Sequence, residues 1–128
     1  MNAKREKEIY AAALTKWGPG LQITLMFEEM SELQKEICKS LRGKDTTENI
    51  AEEIADVEIM IGQMKELFNI EAAVEQKKKI KLERLAGLVG DTKVRVCRVC
   101  GCTEYRACEG SCHWVEEDLC SNCDNIPG

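Results

Sequence analysis

Two copies of one six-residue pattern, Glu28-Glu29-Met30-Ser31-Glu32-Leu33 and Glu52-Glu53-Ile54-Ala55-Asp56-Val57, lie inside stretches whose apolar residues step by three or four. In the first stretch the steps are Met26, Met30, Leu33, Ile37 and Leu41; in the second they are Ile50, Ile54, Val57, Ile61 and Met64. That spacing is the mark of one face of an α-helix. Arg42-Gly43-Lys44-Asp45-Thr46 separates the two. Gly43 suits a helix end, and Asp45 with Glu48 three residues on has the spacing of a capping box. A connection this short makes the helices antiparallel neighbours.

The acids are expected to converge. On a helical wheel Glu28, Glu29 and Glu32 form a patch roughly 135° from their apolar stripe, and Glu52, Glu53 and Asp56 sit at a similar offset. Leu21 and Leu25 continue the first acidic line, and Met60 and Leu67 the second, which predicts half-burial. With a symmetrical turn over residues 41–47, Glu32 and Asp56 come level, at about 1.5 Å per residue. Like charges one turn apart repel by roughly 0.2–0.5 kcal/mol per pair on an open surface, and partly buried, unpaired carboxylates cost several kcal/mol. A hard divalent cation offsets that cost, and all-oxygen ligands suit magnesium. One acidic triplet alone reads as a solvated face; two matched triplets across a hairpin point to a metal site.

E-E-x-x-E followed by E-x-x-D resembles the MazG-type nucleoside triphosphate pyrophosphohydrolases, which are similar to the all-α dimeric dUTPases and the phosphoribosyl-ATP pyrophosphohydrolases. The resemblance covers about residues 5–88. It implies an all-α fold, a four-helix protomer that forms a homodimer or homotetramer. It also implies magnesium-dependent hydrolysis of (deoxy)nucleoside triphosphates to the monophosphate and pyrophosphate, in nucleotide-pool control or house-cleaning. Carried onto this chain, it makes Glu29, Glu32, Glu53 and Asp56 magnesium ligands. Glu28 matches the leading acid, and Glu28 and Glu32 are the candidates to position water or take its proton. Glu52 is outside the family pattern and has at most a supporting place.

The remainder of the first 90 residues reads as helix. Lys4–Lys16 forms a first helix, and Trp17-Gly18-Pro19-Gly20 breaks it. Trp17 is either a wall for a nucleotide base or a buried anchor between helices. Gln22 follows where family members carry a polar residue near the site. Cys38, with no histidine nearby in sequence, reads as an ordinary small residue rather than a nucleophile. Asn69 is placed to cap a fourth helix over residues 70–88, with Ala73, Val74, Leu85 and Leu88 on its apolar side. Most of that helix's lysines read as a solvated face. Lys81 and Arg84 share a face three residues apart and resemble the family's late basic pair, which would neutralise a triphosphate and its leaving pyrophosphate.

Gly87, Gly90 and Asp91 mark a domain boundary, giving a helical domain over 1–90 and a cysteine-rich module over 91–128. The net charge of −5 gives no general attraction to nucleic acid or membrane, and no apolar run reaches membrane-spanning length. The N-terminal stretch has no signal-peptide pattern, so the expected compartment is the cytoplasm. Disulfides are rare there, and eight cysteines need another explanation. Cys97-x-x-Cys100 and Cys120-x-x-Cys123 have the spacing of two zinc knuckles, each turn aiming two thiolates at one tetrahedral ion. A redox CxxC is the main rival, but it needs only one pair.

Cys102, Cys108, Cys112 and His113 are left over. The cysteines are candidates for a second metal, although adjacent Cys112 and His113 suit one small ion poorly. Two zincs sharing a thiolate and an iron–sulfur centre both stay open. The strings C-R-V-C-G-C-T and W-V-E-E-D-L-C-S-N-C resemble a small cysteine-rich module of phage-encoded proteins. From Asp91 onward the chain carries four Lys or Arg and seven Asp or Glu. Phosphate contacts need basic residues, so nucleic acid is not the expected partner. The competing reading of the whole chain is a non-catalytic helical dimer carrying a zinc adaptor, acting in regulation or protein interaction.

Overall fold

The computed structural model describes residues 1–90 and 94–124. Asp91, one of the residues that mark the boundary in the sequence, lies outside them. The chain divides into two compact units, Met1–Lys81 and Leu82–Gly128. Among the described residues there are four helices, α1 (Ala3–Trp17), α2 (Pro19–Leu41), α3 (Thr47–Phe68) and α4 (Glu71–Val89), and one short hairpin, β1 (Trp114–Glu116) and β2 (Leu119–Cys120).

The helix ends follow local chemistry. Asn2 caps α1 by accepting the Arg5 N–H at 2.9 Å. Gly18, at φ +86°, turns the chain where a side chain would be strained, and Pro19 opens α2 at a position that needs no N–H. Two predicted caps are different. Asp45 does not cap α3: the N-cap position is Thr46, while Asp45 Oδ1 accepts the Thr47 N–H at 3.3 Å. Asn69 does not cap α4: it ends α3 in the left-handed conformation, φ 52° and ψ 49°, which asparagine tolerates better than most residues.

In the helical unit α2 and α3 pack along each other, and α1 lies mainly on α3. Gly62 on α3 allows the approach of α1, since a Cβ there would sit 2.5 Å from the Tyr10 ring. The α2–α3 seam is polar. Gln22 Nε2 donates to Gln63 Oε1 at 2.7 Å, Glu29 meets Asp56, and Glu36 accepts from Asn49 Nδ2 at 3.5 Å. Each step of two turns up α2 is matched by two turns down α3, so the pair is antiparallel and in register.

That register differs from the one expected from a symmetrical turn. Asp56 comes level with Glu29, not Glu32. The cause is the connection, which doubles back over the end of α2. Lys44 N–H donates to Lys39 O at 3.2 Å, and buried Thr46 donates its hydroxyl to Glu36 O at 3.0 Å. The start of α3 therefore overlaps the last turn of α2.

The apolar stripes are the other surprise. Met30, Ile37, Leu41, Ile54 and Ile61 are all exposed by two fifths or more, and among the described residues of this unit Met60 is the one buried apolar side chain. In α4 only Val74 is partly buried.

The second unit is held differently. Its core is Cys97, Cys102, Leu119, Cys120 and Cys123, with Trp114, Cys108 and Cys112 packed against it. Ahead of the first CxxC turn, Val96 forms a single antiparallel bridge with Thr103. Arg98 ties the first CxxC turn to the hairpin: its N–H donates to Asp118 O at 2.8 Å, and its guanidinium pairs with Glu116 and Asp118.

Candidate functional site

The helical unit brings three carboxylates together. One oxygen from each of Glu29, Glu53 and Asp56 lies within 4.8 Å of the other two. Glu29 comes from α2, and Glu53 and Asp56, three residues apart on one face, from α3. Glu29 and Glu53 are partly buried. Burial and the neighbouring Asp56 and Glu53 charges push the Glu29 carboxyl above its ordinary range. Glu53 Oε2 is buried with no hydrogen-bond partner among the described residues. Three converging acids, one of them with an orphaned oxygen, form an arrangement that a cation completes. Oxygens bonded to one octahedral magnesium ion at about 2.1 Å lie between about 3.0 and 4.2 Å apart, which falls inside the 4.8 Å limit of this cluster.

The other candidates are placed as follows. Glu32 lies one turn beyond Glu29, is exposed, and is not part of the close set. Glu28 and Glu52 are exposed neighbours of the ligand candidates. Gln22 is 3% exposed and occupied by Gln63; its Oε1 is buried without a partner. Trp17 is 53% exposed, with Lys16 Nζ 5.1 Å from the ring centroid, so it is not a buried anchor. Lys81 and Arg84 are both exposed on α4, and neither makes an ion pair among the described residues. A cleft of about 430 Å³ between α1, the end of α3 and the start of α4 is lined by Lys7, Tyr10, Glu58, Glu66 and Glu71, and does not reach the three carboxylates.

Buried Glu36 carried no signal as a single letter. It accepts from Lys39 Nζ at 3.0 Å, and that cation holds its carboxyl below the ordinary range. The signal was its place in the two-turn series Gln22, Glu29, Glu36, which reads as one face.

The cysteine-rich unit gathers its sulfurs into a cluster that could hold a metal ion such as zinc. Sγ atoms of Cys97, Cys100, Cys120 and Cys123 all lie within 4.8 Å of one another, as the two CxxC turns predict. Backbone N–H groups around Cys97, chiefly those of Cys100 and Cys120, pull its thiol down to about 6, which favours the ligating thiolate. Cys102 and Cys108 join a second set with Cys100 and Cys120, again within 4.8 Å. Hydrogen bonding to Cys100, reinforced by burial, pushes Cys108 up to about 12. Cys112 stands 3.8 Å from Cys102 but belongs to neither set, and His113 is exposed. Cys38 is exposed and remote in sequence from the cluster.

No protein-family model, curated protein or solved structure matches this chain. No helix among the described residues is long and apolar enough to cross a membrane.

Proposed function

We propose that the helical unit is a magnesium-dependent nucleoside triphosphate pyrophosphohydrolase, releasing a nucleoside monophosphate and pyrophosphate in the cytoplasm. The observation that carries this reading is the meeting of Glu29, Glu53 and Asp56 across α2 and α3 around the orphaned Glu53 Oε2. Magnesium held there would screen the triphosphate charge and acidify a bound water. Glu28 and Glu32, exposed on either side of Glu29, are the candidates to orient that water and accept its proton. Glu32 joins the ligands if its side chain swings in when substrate binds. Lys81 is the proposed cation for the departing pyrophosphate, and Trp17 offers an open aromatic face for a base.

The half-exposed stripes through Met30, Ile37, Ile54 and Ile61 support a homodimer or homotetramer, because a second copy would remove that apolar area from water. The cysteine-rich unit is a zinc module whose metal supplies the folding energy that a core with one aliphatic side chain, Leu119, does not.

The same exposed stripes favour the rival reading, a non-catalytic oligomer with a zinc adaptor. A panel of ribo- and deoxyribonucleoside triphosphates incubated with magnesium separates the two. Stoichiometric pyrophosphate and monophosphate support the enzyme. Release of inorganic phosphate contradicts the proposed bond cleavage, and no turnover across the panel favours the adaptor.

A further inference from the structure

The two cysteine sets are not separate. Cys97, Cys100, Cys120 and Cys123 form one tetrad, Cys100, Cys102, Cys108 and Cys120 form another, and they share the edge Cys100–Cys120. We propose that the module holds two zinc-type ions in a thiolate-bridged pair. Cys100 and Cys120 bridge, Cys97 and Cys123 complete the first ion, and Cys102 and Cys108 complete the second. This deepens the zinc reading of the module and is independent of the catalytic reading of the helical unit.

Spacing is the first argument. A tetrahedral ion with bonds of about 2.3 Å to sulfur sets its ligands about 3.8 Å apart. Cys100 and Cys120 are 3.8 Å apart, Cys108 and Cys120 3.8 Å, and Cys100 and Cys108 3.5 Å. One face of the second tetrad thus already has the edges of an ion-sized tetrahedron, with Cys102 within 4.8 Å of all three sulfurs.

Charge is the second. One ion on the outer four cysteines leaves Cys102 buried and Cys108 half-buried beside it with no metal of their own. Two independent four-thiolate sites would need eight sulfurs and would carry about twice the negative charge of one. Sharing two thiolates lets six sulfurs serve two divalent ions at the net charge of a single four-thiolate site. Among its described residues the module has little else to neutralise sulfur. Arg98 is engaged by Glu116 and Asp118, and Arg95 faces Glu104 at 4.0 Å. Arg106 is the one basic residue lining the small hollow over Cys100, Cys102 and Cys108.

Cys112 has a different part. It belongs to neither tetrad, and its sulfur accepts the Cys108 N–H at 3.3 Å, which orients the loop that delivers Cys108.

The test is zinc content of the full chain by mass spectrometry, after washing with magnesium to clear the carboxylates, combined with cadmium-113 NMR of exchanged protein. Two zincs per chain and two cadmium resonances with mutual scalar coupling are expected, because coupling passes only through a shared sulfur. One zinc per chain, two uncoupled resonances, or iron with visible charge-transfer absorption overturns the bridged pair. Complete absence of tightly held zinc overturns the zinc reading itself. Cys112→Ser is expected to keep two ions and Cys108→Ser to keep one. A Cys112→Ser protein that holds a single ion overturns the ligand assignment.

Discussion

Replacing Glu29 by glutamine is predicted to make the magnesium-free protein more stable while abolishing its response to magnesium. In the folded chain the Glu29 carboxylate faces those of Glu53 and Asp56 within 4.8 Å. Coulomb's law puts each such pair at about 1 kcal/mol in a water-like medium and about 3.5 kcal/mol at the effective dielectric of a protein surface. The acids are only partly buried, so solvent screening holds the value near the lower figure. Two relieved pairs are then worth about 2 kcal/mol, or on the order of 8–16 °C in melting temperature for a domain of this size.

The sign of the pH dependence follows from the same geometry. The native Glu29 carboxyl sits above its ordinary range, so the folded state binds this proton more readily than the unfolded one. Its contribution to stability is present at low pH and is lost as pH rises from the ordinary carboxylate range through the raised value. Thermal melts followed by circular dichroism, on zinc-loaded protein with and without magnesium, read both effects. The wild type should melt lower than Glu29→Gln without magnesium and gain more when it is added. Equal melting temperatures and equal magnesium responses would refute the view that these carboxylates confront one another.

Glu53→Gln should abolish pyrophosphate release with an unchanged circular dichroism spectrum, whereas turnover within a few-fold of wild type would remove Glu53 from the site. Gly62→Ala should lower the melting temperature by a few degrees, about 1 kcal/mol, despite alanine's better helix propensity, because its methyl meets Tyr10; adding Tyr10→Ala should erase that specific penalty in a double-mutant cycle. Glu36, held below its ordinary range by Lys39, contributes stability above that range that is lost as pH falls through the lowered value. Glu36→Gln should therefore flatten the acid limb of a stability–pH curve. Stripping zinc, or acidifying until the thiolates protonate, should collapse amide protection in the hairpin over residues 114–120 and leave α1 to α3 folded, as measured by hydrogen exchange.

Much of this protein was legible in its letters. Helical periodicity placed α2 and α3, Gly18-Pro19 and Gly43 placed their breaks, and the paired CxxC turns placed the outer sulfurs. These are local features, governed by backbone conformation within a few residues. The acidic pattern likewise marked Glu29, Glu53 and Asp56, because residues three apart on one helix face one way in any tertiary setting.

What the letters did not decide was how far one helix slides along the next. That depends on a turn that folds back and pins Thr46 to Glu36, and it moved Asp56 from Glu32 to Glu29. Nor did they decide which face of each helix goes inward. The apolar stripes marked one face of each helix, yet the seam is built from Gln22, Glu29, Glu36 and their partners, while the stripes remain half open. Apolar periodicity identifies a face that must be covered but is silent about whether the cover is the same chain or another copy. In the cysteine-rich unit the spacing singled out the outer four cysteines. Only folding of the loop over residues 102–112 brought Cys102 and Cys108 onto Cys100 and Cys120, because distances between sulfurs far apart in sequence are set by the path between them.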